Sequence, residues 1–201
     1  IVTNVNEGKL EEILYKEGES VNKGDLLYRI DSTSYELQNE TLINRKKKAK
    51  EKLENLKKLE KSVNQGKNLF SKQGIEFYNR FMSYRLKHEQ LKLDLEQAKT
   101  RYLQEKSLGL NFTTKSKLNE LETKKNYARM NLEKHKSETI FSIKSEILDK
   151  EKEILELNNK IDDISEKIEL GKLRSPITGT VQIIKDYNKG DYIRSGVEML
   201  R

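Results

Sequence analysis

The chain has 201 residues, with 40 Lys and Arg against 33 Asp and Glu, a formal charge of +7, and 36% charged against 34% hydrophobic residues. So much charge, with no tryptophan, leaves little to fill a deep globular core, and the lack of cysteine excludes thiol catalysis, disulfides and cysteine-ligated metal together. Basic residues alternate with acidic ones, so even the run Arg45-Lys-Lys-Lys-Ala-Lys50 reads as a solvated helix face rather than a nucleic-acid footprint.

The first element in chain order is a glycine-punctuated segment with Gly8, Gly18 and Gly24, followed by Asp25. It is echoed at the other end by Gly179, Gly190 with Asp191, and Gly196. In both copies a glycine opens a strand, a second follows ten or eleven residues on and a third six after that, with apolar pairs between. Each copy predicts strand, turn, short strand, turn, with positive φ at the turn glycines. Residues 1–31 and 174–201 therefore read as two halves of one small β module, cut open by what lies between.

The insertion, residues 32–173, contains no proline; the only one, Pro176, stands where the second half begins, in Arg174-Ser-Pro-Ile-Thr-Gly179. A proline there ends a helix and starts an extended segment. Inside the insertion, Tyr35, Leu42, Ala49, Leu56 and Val63 recur every seven residues, but with polar companions Gln38, Arg45 and Lys52, which predicts a loose contact. Glycines and asparagines then cluster at 63–75, from Gly66 to Gly74, and predict a helix break. A clean heptad seam follows at Phe77, Phe81, Tyr84, His88, Leu91, Leu95, Ala98 and Tyr102. Periodicity lapses at 106–116, where Gly109 is followed by Thr113 and Thr114 as candidate N-caps. The returning segment carries Leu118, Leu121, Ala128 and Leu132 in one register and Ile140, Ile143, Ile147, Ile154, Leu157, Ile161, Ile164 and Ile168 in another, with a stutter near residue 139. If both breaks reversed the chain, the β halves could not meet. One reversal, at the tip, is expected, with arms of roughly 80 to 95 Å at about 1.5 Å per residue: a long rod on a small knob.

Chemistry is sparse. His88 and His135 are the only imidazoles, and both fall on presumed helix seams, where a structural histidine is the default. Carboxylates recur at helical spacing throughout and single out no acid/base pair. No phosphate loop, nucleophile elbow or zinc pattern is present, so no catalytic, cofactor or metal residue is assigned and no enzyme is expected. Asn39-Glu-Thr and Asn111-Phe-Thr match the short glycosylation pattern. No apolar run is long enough to cross a bilayer, and the chain reads as part of a longer protein whose anchor lies outside it.

With these segments in place the sequence resembles the membrane fusion proteins, the periplasmic adaptors of the haemolysin-secretion type. The resemblance rests on Glu17-Gly-Glu-Ser-Val-Asn-Lys-Gly-Asp-Leu-Leu27 and Ile30-Asp-Ser-Thr-Ser-Tyr35 on one side, and Leu173-Arg-Ser-Pro-Ile-Thr-Gly-Thr-Val181 with Lys189-Gly-Asp-Tyr-Ile193 on the other. Gly66-Lys-Asn-Leu-Phe70 and Phe77-Tyr-Asn-Arg-Phe-Met-Ser-Tyr84 are more narrowly similar to the accessory proteins that Gram-positive bacteria pair with peptidase-containing ABC exporters of bacteriocins and competence peptides. The resemblance implies an α+β fold: a long antiparallel coiled-coil hairpin inserted into a split biotinyl-lipoyl-like module. It implies an adaptor anchored on the extracytoplasmic face of the cell membrane of a Gram-positive bacterium. Its partners would be an ABC exporter, further copies in a ring and an exported peptide, without nucleic acid.

Two departures matter. The turn that carries a modified lysine in lipoyl carriers is here Asp31-Ser-Thr-Ser-Tyr35, so a carrier role is not expected. The tip offers Arg101, Leu108, Thr113 and Ser116 without the Arg, Leu and Ser set by which Gram-negative adaptors dock on an outer-membrane channel. Structural turns are assigned to Gly8, Gly18, Gly24, Asp25, Pro176, Gly179, Gly190, Asp191 and Gly196. Candidate partner contacts are Ser107, Leu108, Leu110, Phe112 and Ser116 at the tip, and Phe70, Phe77 and Phe81 beside the break. A coiled-coil scaffold, a lipoyl-type enzyme subunit and a drug-efflux adaptor are the alternatives.

Overall fold

The computed structural model describes residues 2–3, 7–71, 75–109 and 112–201, with side chains from residue 7 onward. Gly74 in the break and Leu110 at the tip lie outside the described residues. The chain is mostly helical, with three long helices and a curled antiparallel sheet among the described residues. Strands β1 (Val2–Thr3), β2 (Gly8–Ile13), β3 (Ser20–Val21) and β4 (Leu26–Ile30) precede helices α1 (Thr33–Gln65), α2 (Ile75–Ser107) and α3 (Lys115–Leu170). Strands β5 (Lys172–Arg174), β6 (Gly179–Thr180), β7 (Tyr192–Ile193) and β8 (Glu198–Leu200) follow. The fold divides into two compact units: Ile1–Lys48 with Ile154–Arg201, and Ala49–Glu153.

In the first unit each leading strand pairs antiparallel with a trailing one, in nested order: β1 with β8, β2 with β7, β3 with β6 and β4 with β5. The pairing obeys an internal two-fold. Ser20 opposite Thr180 and Val21 opposite Gly179 on one side match Tyr192 opposite Lys9 and Ile193 opposite Gly8 on the other. The hydrogen bonds repeat as well. Gly18 N–H donates to Val181 C=O and Val181 N–H to Glu19 C=O; their counterparts run from Gly190 to Leu10 and from Leu10 to Asp191. Apolar side chains from both halves then close one core, in which Leu27, Tyr28, Ile193, Met199 and Leu200 are at most 1% exposed. Burial, and the nearby Tyr15 and Tyr187, push the Tyr28 hydroxyl far above its ordinary pKa, and that hydroxyl has no hydrogen-bond partner. An unpaired buried hydroxyl costs about 1–3 kcal/mol, which the apolar ring must offset.

The turns show why glycine recurs. At Gly18, Gly24 and Gly190 φ lies between +77° and +96°, the third position of a type II turn, where a Cβ is strained. The residue after each glycine is acidic and caps the turn. Glu19, Asp25 and Asp191 accept from the backbone N–H of Lys16, Asn22 and Asn188 at 2.7–2.9 Å. Gly196 (φ +79°) ends the last turn without such an acid, since Val197 follows it. Two assignments need correction. Gly179 lies in β6 without a positive φ, and an added Cβ would meet nothing within 4 Å, so it is a strand position and not a turn requiring glycine. Gly8 is required by crowding, because its Cβ would come within 2.4 Å of Ile30 Cγ2. Pro176 follows β5, whose exit is tied down by Ser175 N–H donating to Asp25 C=O and Ser175 Oγ to Ile177 C=O.

In the second unit α1 and α2 both run antiparallel to α3. Lys57 pairs with Glu151 and Glu60 with Lys144, while Arg80 pairs with Glu146 and Tyr84 faces His135. The chain therefore does not reverse between α1 and α2. The end of α1 and the start of α2 meet on the same stretch of α3, and Leu56, Leu59, Val63, Phe77, Phe81, Tyr84, Ile143 and Ile147 form the core there. Ser62, fully buried, holds the crossing: its Oγ donates to Lys58 C=O at 2.8 Å and accepts from Leu69 N–H at 3.3 Å. Gly66 (φ +65°) turns the chain out of α1.

Candidate functional site

The turn between α2 and α3 begins where α2 ends at Ser107, whose Oγ donates back to Gln104 C=O. Gly109 (φ +74°) turns the chain, and its carbonyl accepts from Phe112 and Thr113 N–H. Thr114 caps α3, its Oγ1 accepting from Lys117 N–H at 3.1 Å. Thr113 does not cap; its hydroxyl is taken by Glu105 of α2, which ties the two helix ends together. This bonding leaves Leu108 at 52% and Phe112 at 83% exposure, with Ser107 and Ser116 also exposed. The Phe112 ring thus has most of its surface in water.

The break places its candidate residues differently. Phe77 and Phe81 are 7% and 0% exposed, held in the three-helix core, so neither is a partner contact; the heptad that made them conspicuous points them inward. Phe70 is half-buried, stacked on Phe77 at 5.8 Å, with Lys58 over its face at 5.0 Å and Arg80 over Phe77 at 5.8 Å. Phe70 in the break and Phe77 in α2 are thus packed together.

A second exposed feature was not singled out from sequence. On α2, Leu86 and Leu93 are 68% and 59% exposed, and on α3 Phe141 and Leu148 are 76% and 65% exposed. Each pair is spaced by seven, so its members share one helix face turned away from the core. The signal was visible as apolar residues one heptad apart and out of phase with the seam.

No helix of the described residues is long and apolar enough to cross a membrane. Nor do they contain a cluster of three or more His, Cys, Asp or Glu arranged to hold a metal ion. Most ion pairs along the helices join residues three or four apart, for example Glu120 with Lys117 and Lys124, which hold the Glu120 carboxyl below its ordinary pKa. Such pairs neutralise the helix surface locally.

Residues 1–199 match the profile described as RND MFP, barrel-sandwich hybrid domain. The chain belongs to this family of membrane fusion proteins. Among solved structures it is similar to the periplasmic adaptor protein EmrA, at 22% identity and TM-score 0.56, over 99% of this chain and 69% of that one. It is also similar to the soluble domain of LipC, a membrane fusion protein of a type I secretion system, at 12% identity and TM-score 0.65, over 99% of this chain and 97% of that one. At these identities the likeness is one of fold. No curated protein matches the sequence.

Proposed function

We propose that this membrane fusion protein is the extracytoplasmic adaptor subunit of an ABC-type exporter of peptides or bacteriocins in a Gram-positive bacterium. In this reading it folds as a helical hairpin inserted into a split lipoyl-like module and is anchored by a segment outside this sequence. Copies would stand side by side in a ring whose hairpins guide the exported peptide, and no bond is made or broken by the chain. The observation that carries the adaptor role is the family match over residues 1–199, and the likeness of residues 66–70 and 77–84 to peptide-exporter accessory proteins supports the choice of transporter. The exposed Leu108 and Phe112 supply a docking feature, and the outward pairs Leu86/Leu93 and Phe141/Leu148 supply apolar surface for neighbouring copies. A second reading, in which the partner is an RND-type transporter, is favoured by the family description itself.

The test is to tag the full-length parent in its own organism, extract it in mild detergent and identify what copurifies. An ABC exporter, above all one with a peptidase domain, is the expected result. An RND-type pump would move the assignment to the second reading, and recovery of cytosolic complexes or nucleic acid alone would overturn both.

A further inference from the structure

The two histidines of the chain, 47 positions apart in sequence (88 to 135), meet across α2 and α3. Their rings lie 6.4 Å apart, and both stack on Tyr84, at 5.4 Å for His88 and 5.2 Å for His135. His88 Nδ1 lies 3.5 Å from the Tyr84 hydroxyl, and His135 Nε2 lies 3.3 Å from the Tyr84 backbone carbonyl. That carbonyl can only accept, so His135 carries its proton on Nε2. The Tyr84 hydroxyl can donate to His88 when that ring is neutral. The three rings form a small triangle beside the core, and a niche of about 340 Å³ next to it is lined by Leu59 and Val63 of α1, Arg80 of α2, and Glu138, Thr139 and Ser142 of α3.

We propose that His88 and His135 form an acid-sensitive latch that holds α2 to α3 while the imidazoles share one positive charge or none, and loosens when both are protonated. The surrounding charges do not remove the repulsion. On α2, Glu89 favours the charged form of His88, but Lys92 opposes it; on α3, Lys136 and His135 oppose it as well. Arg80 is committed to Glu146, and Glu138 is shared with Lys134. On α1, Glu60 pairs with Lys144. Desolvation comes first among the causes that hold His88 below its ordinary value. A base depressed in this way contributes stability that is complete above its unfolded value, about 6.5, and is lost as pH falls from there through the folded value. Stacking on one tyrosine can favour a first imidazolium, whereas a second would stand only 6.4 Å from it.

The test uses the whole chain. Amide exchange, corrected for intrinsic rates, should rise roughly tenfold in 80–92 and 131–143 between pH 7.5 and 5.5, while 8–30 stays unchanged, as local opening requires. His88→Gln and His135→Gln should each abolish the acid-induced rise. No exchange rise in the unmodified chain, or a rise that survives either variant, would overturn the latch.

Discussion

The two units are held by different physics. In the first, strands two to six residues long are bound by backbone ladders and tight turns, so the decisive residues are the ones that shape the main chain: Gly18, Gly24, Gly190 and the acids that follow them. In the second, helices of 33 to 56 residues satisfy their own backbone bonds, and their association depends on a few side chains, chiefly Phe77, Phe81, Tyr84, Ile143 and Ile147. A strand module is therefore sensitive to conformation, and a helix bundle to volume.

The largest test of this contrast is Phe81→Ala. A fully buried ring lost from a well-packed site costs about 3–5 kcal/mol, and urea unfolding followed by helical circular dichroism should show the loss. In the β module the sharpest comparison sets the two-fold-related glycines against each other. Gly8→Ala drives a Cβ toward Ile30 and should cost about 1–3 kcal/mol, as overpacking does. Gly179→Ala, with open space and no positive φ, should stay within about 0.5 kcal/mol. Equal effects in thermal melting would break the assignment of crowding to one site. At the helix crossing, Ser62→Ala leaves Leu69 N–H without its side-chain acceptor and should cost about 1–2 kcal/mol, visible as faster amide exchange at 66–70.

Smaller still is the start of α1, where Asp31 accepts from Thr33 Oγ1 and N–H and is held below the ordinary carboxylate value. Its folded value is depressed, so its contribution is present above about pH 4, the unfolded value, and is lost as pH falls through the folded one. Asp31→Asn should flatten that part of the melting profile below pH 4. Leu93→Glu should leave the melting temperature unchanged and reduce self-association in sedimentation. Unchanged association would remove this face from the proposed ring.

Much of this was readable in the sequence because it is local. The repeat of Gly18 and Gly190, each followed by an acid, announces a turn, and Pro176 marks an exit from helix. Phe77, Phe81 and Tyr84 show their inward face by spacing alone, and the same heptad keeps Phe77 and Phe81 away from any partner. What stayed hidden needs a second segment. Gly8 and Gly179 look alike until Ile30 is placed against one of them. His88 and His135 each read as an ordinary seam residue, because spacing within one helix does not say which turn of α2 faces which turn of α3. Gly171, whose N–H donates to the Lys167 and Ile168 carbonyls at the end of α3 and whose C=O accepts from Ile30 N–H, draws its meaning from that long-range bond.

The nested strand order also has a temporal consequence. During synthesis β2, β3 and β4 leave the ribosome well over a hundred residues before the strands they must pair with, so the β module is closed by contacts of very high sequence separation. The helices, whose bonds are local, can form in the interval, and their antiparallel seam brings the trailing strands back toward the leading ones. Until the last thirty residues or so emerge, the nascent chain carries unpaired strand edges with Leu27 and Tyr28 uncovered, and a chaperone would find its binding site there.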